Sequence, residues 1–297
     1  MLFDLTEDQR DFRTALDDLL ASARTVAAAR AWADGDHAAG LAIWKRLAGL
    51  GVNGLLVEGG TPVDLAVAHE ALGFHLAVGP WIEVAALSSA YPDRVAGGEP
   101  LTVVAPGVGF ALDADVADLV NGTAGARLKS IDTTRRLFAV EKPSPVDDAA
   151  FDMAALACSA QLLGAGERLL ADTVTYVRQR EQFGRAIGSF QAVKHQLADV
   201  RIALDFARPL IYGAALSLAP GGLEGRAARD VSAAKAYASD AAWKAARTAL
   251  QLHGAVGYTR ELDLGLWILR VRALVSAWGT PAFHRARVLE SLAGAGE

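Results

Sequence analysis

Apolar residues recur at three- and four-residue spacing along most of this chain, the period of helices that bury one face. Near the start, Thr6 and Gln9 form a capping box, and Phe12, Leu16, Leu19, Leu20 and Ala23 follow at helical spacing. LAIWKRLAGLG predicts a second helix that closes at Gly49 to Gly51. Pro62 opens another, running through Leu65 and Leu72 to Gly73, and GPWIEVAALSSA supplies one more. From Gly97 to Val146 the texture changes to short apolar runs, LTVVAPGVGFAL, VADLV and RRLFAVEK, split by glycine, proline, asparagine and aspartate; these predict a few strands.

Beyond Asp147 the helical period returns. One helix presents Met153, Leu156, Ala160, Leu163 and the tight-packing Gly164, and the next, with Ser189 as its cap, presents Phe190, Val193, Leu197, Val200 and Leu204. Pro220 to Gly222 mark a break; a third helix is predicted from Leu223 to His253, a fourth over Leu262 to Leu274, and a last segment after Gly279. The pattern predicts a mainly α protein in three units: an N-terminal helical domain over 1–96, a shortened β region over 97–146, and a C-terminal four-helix bundle over 147–297.

Composition narrows the function classes. At 297 residues the chain can bury a large core, and a formal charge of −5 with basic residues spread among acidic ones disfavours nucleic acid as a partner. Alanine-rich runs such as AVAHEAL and ASDAAWKAARTALQL are broken by charge, so no membrane span is expected. Asp4, Glu7, Asp8 and Asp11 come too early for a secretion leader, and Cys158, the single cysteine, is expected as a small buried side chain in a cytoplasmic protein. The six histidines lack the paired spacing of a zinc hydrolase.

The most specific chemistry lies in RQREQFGRAIGSFQAVKHQLADV, from Arg178 to Val200. A helix ends near Arg180, and Gln182, Phe183 and Gly184 carry the chain through a bend. A guanidinium and an amide there suit a phosphate or carboxylate, because the planar fork grips two oxygens at once. Taken alone, the same residues also describe a solvated helix end with Gly184 in a left-handed turn. The wording R-x-Q-F-G followed by I-G-S-F-Q-A-V-K-H resembles the flavin-side signature of the acyl-CoA dehydrogenase family. A second stretch, QLHGAVGYTRELDL from Gln251 to Leu264, resembles that family's Q-x-H-G-G-x-G-Y-T-x-E, with Ala255 replacing the second glycine of the pair. WKRLAGLGVNGLLV and EALGFHLAVGPWIEVAAL resemble its N-terminal helical domain, and IDTTRRLFAVE the last strand of its middle domain. That domain's Y-x-x-T-E-P-x-x-G-S-D loop and W-I-T-N strand do not occur, so the middle domain is shortened.

The resemblance implies FAD as cofactor and α,β-dehydrogenation of an acyl-CoA thioester. It assigns Arg180, Gln182, Phe183, Ile187, Gln191, Gln251, Gly254 and Ala255 to a flavin held largely by an adjacent subunit. The reaction also needs a carboxylate base, and here the chain departs from the family. AWGT stands where the family has Y-E-G-T, placing Trp278 at the glutamate position; the alternative base position on the first bundle helix holds Ala154, followed by Ala155. Asp147, Asp148 and Asp152 read as a solvated acidic helix start, Glu167 as part of a structural polar face, and Glu261 as a surface residue. The combination resembles the base-less subunit of heterotetrameric acyl-CoA dehydrogenases that act on steroid side-chain thioesters. It implies a related full-length partner that supplies the base and the flavin-ring pocket. Two other readings remain: a structural homologue with no flavin role, and a self-sufficient dehydrogenase with an atypical base.

Overall fold

The computed structural model describes residues 4–222, 225–258 and 262–294. Six helices come first: α1 (Glu7–Ser22), α2 (Thr25–Asp34), α3 (Ala38–Gly49), α4 (Pro62–Phe74), α5 (Trp81–Leu87) and α6 (Pro92–Ala96). The expected Thr6–Gln9 capping box closes the start of α1, and Pro62 opens α4 behind a second reciprocal box between Thr61 and Asp64. The sequence reading missed α2 as a separate helix. Its N-cap is Arg24 in the left-handed region, with no side-chain cap to announce it.

The middle region holds β1 (Leu101–Thr102), β2 (Phe110–Leu112), β3 (Asp118–Leu119), β4 (Thr123–Leu128) and β5 (Leu137–Glu141). Strands β1 and β3 pair in parallel; β2, β5 and β4 form an antiparallel sheet with β5 in the centre. Strand β4, TAGARL, is exposed throughout and has no apolar alternation, which is why the hydrophobic pattern did not predict it. Two buried arginines tie this small region to the helices. Arg136 bonds Asp113 and Asp115 and lies over the Trp32 ring of α2.

The rest is helical: α7 (Asp148–Gln179), the short strands β6 (Glu181–Gln182) and β7 (Arg185–Ala186), α8 (Gln191–Leu218), α9 (Ala227–His253), α10 (Leu264–Ser276) and α11 (Pro281–Gly294). Leu223 and Glu261 fall outside the described residues. Arg270 of α10 is the second buried tie, donating to Asp132 at 2.6 Å, to Thr134 at 2.7 Å and to the Ala77 carbonyl. Ser189 does not cap α8: Phe190 holds the N-cap position and makes no side-chain bond there. Asp147 caps α7 as an acidic helix start should. Asp152, however, is buried and paired with Arg287 of α11 at 2.6 Å, so it is a link between helices rather than a solvated charge. Glu167 plays the structural part expected of it, binding Arg201 and Arg208 of α8.

Helix α7 is the axle of the molecule. Among the described residues it is the one helix long and apolar enough to cross a membrane, but 83% of that window is buried inside the protein. Its small residues let α4 approach to backbone contact. A methyl added at Gly164 would lie 1.9 Å from the Glu70 carbonyl oxygen, and one at Gly73 would lie 2.2 Å from that of Gln161. Ion pairs flank the contact: Glu70 is bound by Arg13 of α1 at 3.3 Å and by Arg208 of α8 at 2.8 Å. Because neither backbone can yield cheaply, Gly164→Ala should destabilise the fold by at least the upper end of about 1–3 kcal/mol. Gly265→Ala, whose methyl would meet nothing within 4 Å, should be neutral or slightly stabilising. Thermal denaturation of the two variants checks this, and equal midpoints would contradict the close approach.

Candidate functional site

Arg180 terminates α7, its N–H donating to the Tyr176 carbonyl at 2.8 Å. The chain then forms a two-residue hairpin, β6 against β7, with Gln182 opposite Arg185. Phe183 and Gly184 occupy the turn with φ of 54° and 76°. Two consecutive left-handed residues make the turn that matches strand twist, which suits glycine and strains phenylalanine. Phe183 is 91% exposed, while the Arg185 guanidinium sits 4.1 Å over the Phe190 ring and stiffens the hairpin base. Arg180, Gln182 and Gln191 are exposed; Ile187 is half-buried and its N–H returns to the Arg180 carbonyl.

The second motif ends α9. Gly254 takes φ 61° and ψ −140°, a conformation open essentially to glycine alone, and its N–H bonds the Gln251 carbonyl. Nothing lies within 4 Å of where its Cβ would be. Ala255 follows, exposed and without a positive φ, so alanine fits there unstrained. The two motifs lie at one end of the bundle. The Tyr176 ring, one turn before Arg180, stacks on His253 with centroids 4.1 Å apart. His253 Nδ1 donates to the Ala249 carbonyl and so fixes its ring. Neither Tyr176 nor His253 was given a role from the sequence, although His253 lies inside the second motif and Tyr176 just before the first.

The residues expected at the base positions lie elsewhere. Ala154 and Ala155 are fully buried in α7. Trp278 is 3% exposed in the turn between α10 and α11, at φ 53°, with Gly279 at φ 97° beside it. Three buried groups hold that turn. Lys235 Nζ donates to the carbonyls of Leu274, Val275 and Gly279, capping the end of α10. The Cys158 thiol, buried as expected, points at the Leu274 carbonyl. His284 Nε2–H donates to the Trp278 carbonyl at 2.9 Å, which leaves Nδ1 to accept from Ser232. Trp278 also lines a cavity with Glu83 and Arg135.

Comparison with known proteins then decides the family. Residues 145–293, half of the chain, match the acyl-CoA dehydrogenase C-terminal domain. The chain belongs to the acyl-CoA dehydrogenase family. It is 29% identical over 307 aligned positions to the acyl-CoA dehydrogenase IpdE2 of Mycobacterium tuberculosis, covering 93% of this chain and 94% of that one. Its fold matches the ChsE4-ChsE5 complex from Mycobacterium tuberculosis with a TM-score of 0.83 at 22% identity, over 99% of both chains. It matches a Tcur3481-Tcur3483 steroid ACAD G363A variant with the same TM-score at 21% identity, over 98% and 99%.

The cofactor of an acyl-CoA dehydrogenase is FAD. Ala154 and Trp278, the residues expected at the base positions, are both apolar and buried, and the Trp278 turn depends on a neutral histidine. Burial lowers His284 from its ordinary 6.5 to about 4. Its folded-state pKa lies below the unfolded one, so its contribution is complete above pH 6.5 and is lost as pH falls towards about 4. Within that window the loss is up to about 1.4 kcal/mol per pH unit. Urea unfolding across this range should therefore show a shallower acid slope for His284→Gln than for the parent. Parallel curves would sink the assignment.

Proposed function

We propose that this chain is the FAD-completing, non-catalytic subunit of a heteromeric acyl-CoA dehydrogenase. A related full-length subunit would supply the glutamate base, the pocket for the flavin ring and the thioester site, in a heterotetramer in the cytoplasm. The acyl group would be a steroid side chain. One observation carries the reading. Ala154 lies near the start of α7 and Arg180 caps its end, 26 residues on, or roughly 39 Å at the helical rise. That exceeds the span of one extended dinucleotide, so the Arg180 hairpin is out of reach of a flavin ring at this chain's own base position. That favours a role for the hairpin towards a cofactor seated in another chain.

The residues at that end suit the anionic, adenine-bearing half of FAD. Arg180 would take pyrophosphate oxygens with its guanidinium fork, and the bare Gly254 backbone leaves room for close approach of a phosphate. Phe183 offers an exposed ring to a planar base, and Gln182, Ile187, Gln191, Gln251 and Ala255 complete the face. When bound, FAD supplies the hydride acceptor for α,β-dehydrogenation. Oxidation at this chain's own base position is disfavoured, because neither Ala154 nor Trp278 can take up the α-proton.

Co-expression with a full-length homologue, followed by flavin spectroscopy of the purified complex, tests the proposal. Arg180→Ala should weaken FAD retention about 10- to 100-fold, the loss of one charge-assisted contact of about 1.5–3 kcal/mol. Unchanged flavin content would favour a purely structural role. Stoichiometric FAD and acyl-CoA oxidation by the lone chain would overturn the proposal in favour of a self-sufficient enzyme.

A further inference from the structure

Helices α7 and α9 each carry one of the two motifs at their C-terminal end. A methyl added at Gly166 of α7 would lie 3.5 Å from the Ala242 Cα of α9, so the two backbones are close at that level. Ten residues further along α7 and eleven along α9, the Tyr176 ring meets the His253 ring, with centroids 4.1 Å apart and planes 22° from parallel. The two helices therefore run in the same direction, and the stack is their tie at the motif end. Each ring adjoins a motif. Arg180 donates its N–H to the Tyr176 carbonyl at 2.8 Å, and its own carbonyl accepts from the Ile187 N–H at 2.8 Å, so its backbone is held on both sides. A methyl on Gly188 would lie 3.0 Å from the Val177 carbonyl oxygen, so the chain after the hairpin folds back onto the last turns of α7. His253 is the last residue of α9, and Gly254 follows it directly. A methyl on Gly257 would lie 3.1 Å from the His253 Cβ, so the short turn that begins at Gly254 closes over the same residue.

We propose that Tyr176 and His253 are positioning residues for the cofactor: their stack fixes the distance between Arg180 and Gly254, and so presets the two motifs as one grip on a pyrophosphate. The inference rests on the flavin reading of those motifs and adds what holds them in register. A guanidinium fork takes two oxygens only at the right distance and angle, and an arginine whose backbone is also free to move loses more freedom on binding. Fixing that backbone beforehand removes this part of the cost. The stack is suited to the task by its place. Tyr176 is one helical turn from Arg180 and His253 adjoins Gly254, so a shift of either ring passes to a motif without an intervening loop. His253 is buried and its Nδ1–H is committed to the Ala249 carbonyl, so it acts through Gly254 rather than by touching the cofactor.

FAD binding to the complex of this chain with a full-length homologue tests the proposal, in a double-mutant cycle read by flavin fluorescence. Tyr176→Leu, which removes the ring, should weaken FAD about 3- to 10-fold, the worth of one aromatic pair. Tyr176→Phe, which keeps the ring, should bind within about twofold of the parent. In an Arg180→Ala background, Tyr176→Leu should cost less than about twofold, because only one arm of the grip is left to place. An equal loss in both backgrounds is what general packing gives and would overturn the proposal, as would full FAD affinity in Tyr176→Leu. His253→Leu breaks the stack from the other side and should show the same loss and the same coupling, so the cycle stands where Tyr176→Leu fails to fold. If Arg180→Ala leaves FAD affinity unchanged, the flavin reading falls and this inference with it. If Arg180→Ala weakens FAD and the two ring-removing variants do not, this inference alone falls.

Discussion

The backbone contact between α4 and α7 is the constraint on which the rest of the structure depends. Gly73 and Gly164 remove the side chains that would hold two helices apart, and each faces a carbonyl oxygen of the other helix. Other contacts follow from that approach. The Trp267 indole reaches across to the Gly73 and Phe74 carbonyls at the end of α4, and the Arg168 guanidinium lies 4.5 Å over the Trp267 ring. Glu70, one turn earlier on α4, is drawn among Arg13 and Arg208, so the N-terminal helices and the bundle share one charge network. Wider separation would leave these buried polar groups without partners, at a cost beyond the lost dispersion.

Helix α7 then acts as a rigid spacer. Its first turns pass beneath the Trp278 turn, where Phe151 packs 6.1 Å from the indole, and its last residue leads into the exposed hairpin. A single long helix thus fixes how far apart the buried Ala154 and the Arg180 hairpin lie. On the proposed function, that length would set the division of labour, with the chain's two ends serving two different parts of an assembly.

Much of this was legible because it is encoded locally. The Thr6–Gln9 box, Pro62 at the head of α4, Gly184 in the hairpin turn and Gly164 as a packing residue each announce themselves within a few positions. Helix α2 was not legible, because its left-handed Arg24 start carries no capping side chain. Strand β4 was not, because an exposed strand has no apolar face to alternate. Asp152 looked solvated because its partner Arg287 is distant in sequence. The site divides the same way. Arg180, Phe183 and Gly254 stand in motifs, whereas the Tyr176–His253 stack, the Lys235 cap and the Glu83–Arg135 end of the cavity join residues far apart in the chain. Their meaning exists only once the helices are packed.

On the reading that Trp278 stands at the family's base position, its surroundings give that change a direction in evolutionary time. Its turn is held from several sides: Lys235, Cys158 and His284 are all committed to the surrounding carbonyls, and Glu83 lines the same cavity as the indole. A return to glutamate at this one position would set two carboxyl groups in that space, which cannot both ionise, and would leave a void where the indole had been. Glutamate alone at this position would therefore be costly. On the proposed function, dependence on a partner's base would then be hard to undo, and the chain's remaining freedom to change would lie in what it contributes to its neighbour.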